Sequence, residues 1–149
     1  MKFYLATDHA GIDLKNYTKE LLEKKGHNVI DLGPHTKDRV DYPDYAVKLC
    51  QEVLKDEANP AEISGILICG SGIGMSIAAN RHSGIRAALC HDAYSANMGR
   101  AHNNANVLCY GERIVGQGVA ESILDAWITA SFEGGRHAGR VDKLEAIKA

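Results

Sequence analysis

Hydrophobic and polar residues alternate between two patterns along the chain. Short, nearly continuous apolar runs predict five strands, whose sequences are KFYLATD, HNVIDLG, GILICG, IRAALC and NVLCYG. Between these strands the apolar residues recur at helical spacing. This spacing predicts helices over about 12–26, 45–56 and 117–130, with two more after the glycines at 70–74 and after Asp92, which is expected to cap its helix.

The last predicted helix and the tail behind it close the chain. Val119, Ile123 and Trp127 are four residues apart, so they are expected to face the core from one side of the 117–130 helix. The tail from 132 to 149 is polar, with a basic first half, and is expected to be partly helical.

The alternation of strands and helices predicts the fold class. It is typical of a three-layer α/β/α, Rossmann-like arrangement, in which helices cover both faces of a parallel sheet. We expect one domain over residues 1–149, with a five-stranded parallel sheet and a C-terminal helical arm. Ligands of such sheets bind outside the carboxyl ends of the strands. Residues that follow strands therefore become candidates, namely Asp8, His9, Cys69 to Gly74, His91, Asp92 and Gly111 to Arg113.

Composition excludes several partners. The 149 residues carry a formal net charge of -2, so no overall basic field favours nucleic acid. No apolar run approaches the roughly 20 residues of a membrane-spanning helix. The N-terminal stretch reaches Asp8 too early for a signal peptide, so we expect a cytoplasmic protein.

Four cysteines are spread widely along the chain, at positions 50, 69, 90 and 109. Their spacing favours neither disulfides nor a zinc site. Cys50 shares helical spacing with Ala46, Leu49 and Val53, and Cys90 and Cys109 end apolar runs, so these three are expected to be buried apolar side chains. Only Cys69 has surroundings that indicate chemistry.

Cys69 precedes the glycine turn of CGSGIGMS, which leads into a helix. Glycines at 70, 72 and 74 allow close approach to a ligand, and the helix N-terminus favours an anion or a thiolate. Met75 breaks the dinucleotide fingerprint, and it stands where cysteine phosphatases need an arginine. Proton abstraction beside a carbonyl, with amides holding the enediolate oxygen, needs no arginine in the turn and no metal. A purely structural turn is the alternative.

Two further groups of polar residues are candidates for binding a phosphorylated ligand. His102 and Asn103 lie just before the fifth strand, and a histidine there could open a sugar ring or simply lie at the surface. Arg136 and Arg140 are four residues apart on one helical face, which suits either phosphate binding or a solvated basic surface. Arg113 is a third cation.

Two candidates have structural interpretations of equal or greater weight. Asp8 could bind sugar hydroxyls or cap the first helix. His137 is expected to have a structural role.

The motifs DHAG, DYPDYA, GILICGSGIGMSIAANR, IRAALC, HNNANVL and EGGRH occur in this order across nearly the whole chain. Together they resemble the family of B-type ribose-5-phosphate isomerases, which also contains galactose-6-phosphate isomerase subunits. The resemblance implies interconversion of ribose 5-phosphate and ribulose 5-phosphate, in the non-oxidative pentose phosphate pathway, without metal or other cofactor. It also implies a five-stranded sheet in the order 2-1-3-5-4.

The same resemblance implies roles for individual residues. Cys69 would be the base that moves a proton between C1 and C2, and His102 would help to open the furanose ring. The amides of the turn would stabilise the enediolate, and this group consists of Gly70, Ser71, Gly72, Ile73 and Gly74. The sugar would contact Asp8, His9 and Asn103, and the phosphate would contact Arg113, Arg136 and Arg140.

The resemblance further implies a dimer or tetramer with sites at subunit interfaces. Some relatives use a glutamate at the position of Met75, so this chain is expected in the cysteine-using branch. The full residue set favours a homo-oligomer over paired unlike subunits. Two alternatives stay open: an isomerase of a six-carbon sugar phosphate, such as allose or galactose 6-phosphate, and a non-catalytic phosphate or nucleotide sensor on a flavodoxin-like scaffold. The sensor would not explain why a cysteine and a histidine lie together at the strand ends.

Overall fold

A five-stranded parallel sheet forms the centre of the computed structural model, which describes residues 1–147. The strand order is β2-β1-β3-β5-β4, as the family resemblance implies. The predicted α/β fold is thereby confirmed. The strands are β1 (Lys2–Thr7), β2 (Asn28–Asp31), β3 (Ile63–Cys69), β4 (Ala87–Leu89) and β5 (Val107–Gly111).

The register of the central strands brings their carboxyl ends to one edge. Strand β1 pairs with β3 up to Thr7 and Ile68, and β3 pairs with β5 up to Cys69 and Gly111. Every residue of β3 is buried, because the strand has a neighbour on each side and helices on each face. Asp8, which follows β1, therefore lies at the same edge as Cys69.

Helices cover both faces of the sheet. On one face α1 (Ile12–Lys24), α4 (Ala93–Asn103) and α5 (Gln117–Thr129) enclose an apolar cluster that includes Trp127. On the other face α2 (Tyr42–Lys55) and α3 (Ile73–Ala79) enclose a second cluster that includes Met75. No helix within residues 1–147 has both the length and the apolar character needed to span a bilayer.

The tail forms the short helical arm that the sequence predicts. A 3-10 turn at Gly135–His137 leads into α6 (Ala138–Glu145). The last two residues of the predicted tail, 148 and 149, lie outside the described residues.

Two local predictions are wrong. Helix α2 begins at Tyr42 rather than near 45, with Asp41 at the N-cap and Pro43 in the first turn. Proline suits this position because its fixed φ is helical and its missing N–H would have had no partner there. Val119 is 42 % exposed, and the inward face of α5 consists of Ala120, Ile123, Leu124 and Trp127. This set follows the 3.6-residue helical period more closely than a strict spacing of four.

Helix α4 has its two ends at opposite edges of the sheet. It begins after β4, where Asp92 Oδ1 accepts a hydrogen bond of 2.7 Å from the Ser95 N–H, which confirms the predicted cap. It ends at Asn103, and Asn104 then adopts a left-handed conformation before β5 starts. Because β4 and β5 are parallel, the helix that joins them returns the chain to the amino edge of the sheet.

Candidate active site

A cavity of about 430 Å³ opens at the carboxyl edge of the sheet. Its walls come from the segments after β1, β3 and β5 and from the first turn of α2. The polar lining residues include Asp8, His9, Tyr42, Cys69, Ser71 and Arg113. The structure thus brings together the predicted site residues that follow strands β1, β3 and β5.

Cys69 is the cysteine that reaches this cavity. Its Sγ accepts a hydrogen bond of 3.1 Å from the Gly72 N–H, and the residue is 6 % exposed. A backbone amide thus faces the sulfur at the wall of the cavity. Cys69 is therefore held in a setting that suits a base or a nucleophile.

The other three cysteines lie deeper in the core, as predicted. Burial raises the pKa of the Cys50 thiol to about 12 and that of Cys90 to about 11. Burial also raises the pKa of Cys109 well above its usual value. These thiols stay protonated at neutral pH, so they act as apolar side chains.

The glycine turn is built for close packing as well as for exposed amides. Gly72 has φ +78°, and a Cβ there would lie 2.8 Å from the carbonyl carbon of Tyr110. The Gly72 N–H donates to Cys69 Sγ, and the Ile73 N–H donates to Ser71 Oγ at 3.3 Å. The turn therefore has a structural role in packing against β5, and it also directs the Gly72 amide at the Cys69 sulfur.

Asp8 does not cap the first helix. The N-cap of α1 is Gly11, and no side chain caps this helix. Asp8 Oδ1 instead accepts a hydrogen bond of 2.9 Å from the Ala10 N–H. The carboxylate is thus fixed at the cavity wall, next to His9, whose Nδ1 lies 3.2 Å from the carbonyl oxygen of Val40.

Arg113 supplies a cation beside the turn. Its backbone N–H donates to the Gly70 carbonyl at 3.0 Å. Its guanidinium packs so close that a Cβ on Gly70 would lie 3.2 Å from Nη1. A positive charge and backbone amides therefore border the same cavity as Cys69, which suits a phosphorylated or anionic ligand.

A second polar cluster forms around His102. Its ring stacks on that of His137, with centroids 4.1 Å apart and an angle of 11° between the planes. Glu133 Oε2 lies 3.7 Å from His102 Nε2 and 3.6 Å from His137 Nε2. Burial, together with the neighbouring His102 and Arg136, lowers the pKa of His137.

The sequence patterns did not identify Glu133 as a candidate, and they predicted only a structural role for His137. The available signal was their spacing of four residues, which is also the spacing of Arg136 and Arg140 in the same segment. Contact with His102 depends on how the tail folds onto α4, where the Glu133 N–H donates to the Ala101 carbonyl at 3.0 Å. No local sequence pattern predicts that contact.

Within one chain these two clusters lie at opposite edges of the sheet, so Cys69 meets His9 at the strand ends but does not meet His102 there. Cys69 is at the carboxyl edge, whereas His102 and Asn103 end α4, which returns to the amino edge. Arg136 and Arg140 are exposed on the segment that follows Glu133. Within one chain the candidate residues therefore form two separate groups, one around Cys69 and the other around His102.

Comparison with known proteins agrees with this architecture. A family model described as Ribose/Galactose Isomerase matches residues 3–144. Ribose-5-phosphate isomerase B of Escherichia coli is 45% identical over 147 residues, which cover 99% of this chain and 96% of that protein.

Solved structures are similarly close. Ribose-5-phosphate isomerase B of Clostridium thermocellum superimposes with a TM-score of 0.93 at 47% identity, covering 98% of this chain and 96% of that one. The enzyme from Mycoplasma genitalium, solved with bound ribulose 5-phosphate, gives a TM-score of 0.91 at 41% identity, covering 97% and 94%. This chain belongs to the ribose/galactose isomerase family.

Proposed function

We propose that this chain is an isomerase that interconverts ribose 5-phosphate and ribulose 5-phosphate, a step of the non-oxidative pentose phosphate pathway. Relatives named ribose-5-phosphate isomerase B align with this chain at about 45% identity over nearly its full length. The observation that carries the proposal is Cys69, whose sulfur borders a cavity together with backbone amides and Arg113. This combination suits a reaction that creates negative charge next to a phosphorylated sugar.

The proposed chemistry is a proton transfer that needs no external oxidant or reductant. The Cys69 thiolate takes the proton from C2 of the open-chain aldose, and the electron pair moves to the carbonyl oxygen O1. The amides of the turn stabilise the resulting enediolate. The thiol then returns the proton to C1, and a proton passes from O2 to O1, which leaves the ketose.

The remaining residues bind and prepare the substrate in this proposal. His102 helps to open the furanose ring, because the furanose cannot isomerise before its aldehyde is released. Asp8, His9 and Asn103 contact sugar hydroxyls. Arg113, Arg136 and Arg140 bind the phosphate, for which the guanidinium group is well suited.

We infer that each complete site needs two copies of the chain, in a homodimer or a homotetramer. His102, Asn103 and the two C-terminal arginines lie away from Cys69 of their own chain. Apolar side chains are also exposed on α3 and beside the cavity, with Ile73 50%, Ile77 59% and Ile114 54% exposed. A second copy that covers this surface would bring its His102 to the first copy's Cys69.

We further propose that residues 1–149 act as one domain in the cytoplasm. Both apolar clusters pack on the same sheet. All four cysteines are free, and free thiols are typical of a reducing compartment.

The first test measures ribulose 5-phosphate formation from ribose 5-phosphate by purified protein in the presence of EDTA. Cys69→Ala and Cys90→Ala are assayed beside the wild type. We expect Cys69→Ala to lose at least about 10²-fold in kcat/KM, because it removes the proposed base. Cys90→Ala removes a buried thiol outside the cavity and is expected to retain turnover.

Other outcomes would contradict the proposal or favour one of its alternatives. Near-normal turnover in Cys69→Ala contradicts its role as the base. Loss of wild-type turnover in EDTA contradicts a metal-independent reaction. A larger kcat/KM for allose or galactose 6-phosphate would make the six-carbon alternative the correct function, and tight nucleotide binding without sugar turnover would favour the sensor.

A further inference from the structure

We propose that His102, Glu133 and His137 form a binding site for a zinc-class divalent cation, and that metal bound there suppresses the isomerase reaction. The first part rests on geometry within one chain. The second part rests on the proposed function, because it uses the ring-opening role of His102.

The ligand atoms of the three side chains already converge. One ligand atom from each of the three side chains lies within 4.8 Å of the other two, and Glu133 Oε2 is 3.7 Å from His102 Nε2 and 3.6 Å from His137 Nε2. Tetrahedral zinc, with bonds of about 2.0–2.1 Å, needs ligand atoms about 3.4 Å apart. The two nitrogen–oxygen distances exceed this separation by only about 0.3 Å, and one of the two stacked rings must rotate for both nitrogens to face the same ion.

The backbone holds the ligands in this arrangement. Glu133 is tied to α4 by the hydrogen bond from its N–H to the Ala101 carbonyl. Gly134 and Gly135 follow with φ of +63° and +53°, and the His137 N–H donates to the Gly134 carbonyl at 2.9 Å. This tight turn brings His137 back beside Glu133 and against His102, so much of the ordering that a metal would require is already present.

The donor set favours zinc and similar ions over magnesium or calcium. Two imidazoles and one carboxylate make the three-ligand set of many zinc sites, with a fourth position left for water. His137 is buried, and its Nε2 accepts a hydrogen bond of 3.5 Å from Arg136 Nε, which a bound metal would displace. Arg136 and Arg140 oppose a cation, whereas the Glu133 carboxylate favours one.

A metal on His102 has a specific consequence for the reaction. It occupies the nitrogen lone pair that would otherwise take part in ring opening. Ribulose 5-phosphate cannot close to a furanose, because its C5 oxygen carries the phosphate. The metal should therefore affect the consumption of cyclic ribose 5-phosphate more than the consumption of ribulose 5-phosphate.

Binding is tested by titrating the whole protein with Zn²⁺ in competition with a chromophoric chelator, and with Co²⁺ by absorption spectroscopy. The variants are Glu133→Gln and His137→Asn, with Cys69→Ser and His35→Asn as controls. His35 is a suitable control because its Nδ1 also lies near a carboxylate, 3.7 Å from Asp31 Oδ2. Glu133→Gln keeps the shape of an exposed side chain, so a change in its affinity reports on the ligand rather than on the fold.

We expect one metal ion per chain in the wild type and in both controls. Loss of a ligand should weaken binding at least about tenfold in Glu133→Gln and in His137→Asn. The Co²⁺ complex should lack a thiolate charge-transfer band. Unchanged affinity in both ligand variants, or binding that disappears in Cys69→Ser, would overturn the site.

The effect on activity is measured in both directions with and without Zn²⁺. With metal bound, the forward rate should become limited by uncatalysed ring opening and stop increasing with enzyme concentration. The reverse rate should stay proportional to enzyme. EDTA should reverse the effect, and Glu133→Gln, compared with its own metal-free rate, should resist it.

The two parts of the proposal fail in different ways. Equal inhibition of both directions would assign the effect to Cys69, and binding without inhibition would overturn the regulatory part. Absence of any turnover in metal-free wild type contradicts the proposed isomerase function, whereas the metal site is judged by the titration alone.

Discussion

At the scale of single residues, the four cysteines are all mostly buried, but they differ in whether they border the cavity. Cys50, Cys90 and Cys109 lie in apolar packing with raised thiol pKa values. Cys69 borders the cavity and accepts an amide hydrogen bond. Reactivity should therefore be confined to one thiol of the four.

Alkylation tests this difference directly. Iodoacetamide should modify one cysteine per native chain, at Cys69, because thiols with raised pKa values hold little thiolate at neutral pH. Ribose 5-phosphate should slow the modification, and activity should fall in proportion to it. Peptide mass spectrometry identifies the site, and comparable labelling of Cys90 in the native protein would contradict the assignment.

The proposed role of His102 predicts a difference between the two directions of the reaction. In His102→Asn the forward rate should stop increasing at high enzyme concentration, because uncatalysed ring opening becomes limiting, whereas the wild-type rate should keep rising with enzyme. The reverse rate should stay proportional to enzyme, since ribulose 5-phosphate is already open. Progress curves in both directions measure this.

His35→Asn provides the matched control for that experiment, since its side chain is 70% exposed and lies outside the cavity of Cys69. It should behave as the wild type in both directions. If the forward and reverse rates of His102→Asn fell equally at every enzyme concentration, ring opening would not be its function.

At the scale of elements, the turn between β3 and α3 depends on glycine for two separate reasons. Gly72 needs both a positive φ and space beside the backbone of Tyr110. Gly26, which follows α1, has nearly the same φ of +83°, but a Cβ at that position would have no neighbouring atom within 4 Å. Comparing the two positions isolates the contribution of close packing.

Alanine substitution at these two glycines should give different results. Gly26→Ala is expected to lower the free energy of unfolding by about 1 kcal/mol, which reflects the left-handed conformation alone. Gly72→Ala should cost more, because the Cβ would also contact Tyr110 at under 3.0 Å, and it should reduce activity by displacing the turn. Urea unfolding and the isomerase assay measure both effects. Equal losses of stability would show that close packing at Gly72 has little importance.

At the scale of the whole molecule, the direction of α4 decides how a site can be assembled. The helix starts at the edge that holds Cys69 and ends, with His102, at the other edge. A complete site of the proposed kind therefore requires contact between two copies of the chain.

Subunit exchange tests that arrangement. Cys69→Ala and His102→Asn are each expected to be nearly inactive in the forward direction. When they are mixed, unfolded and refolded together, about a quarter of wild-type activity should return, since half of the dimers are mixed and each has one intact site. A mixture of Cys69→Ala with Cys69→Ser should recover nothing. No recovery in the first mixture, with mixed dimers demonstrated by mass spectrometry, would contradict a shared site.

The sequence predicts the framework better than the contacts across it. Nearly continuous apolar runs identify all five strands, and helical spacing correctly groups Cys50 with Ala46, Leu49 and Val53. The pattern does not predict the start of α2 or the exposure of Val119, because helix ends and small rotations of a helical face depend on packing. The stacking of His102 on His137 arises from the fold of the tail onto α4, which no local pattern encodes.

The return of α4 to the amino edge also bears on how such a protein can diverge. Suppose that the gene is duplicated and that the two copies assemble together. One copy can then lose Cys69 and the other His102, and each mixed pair still keeps one working centre. Neither copy could afterwards be deleted, so two interdependent genes would arise without any gain in catalysis. The orientation of one helix thus makes an obligate partnership of unlike chains accessible through loss alone.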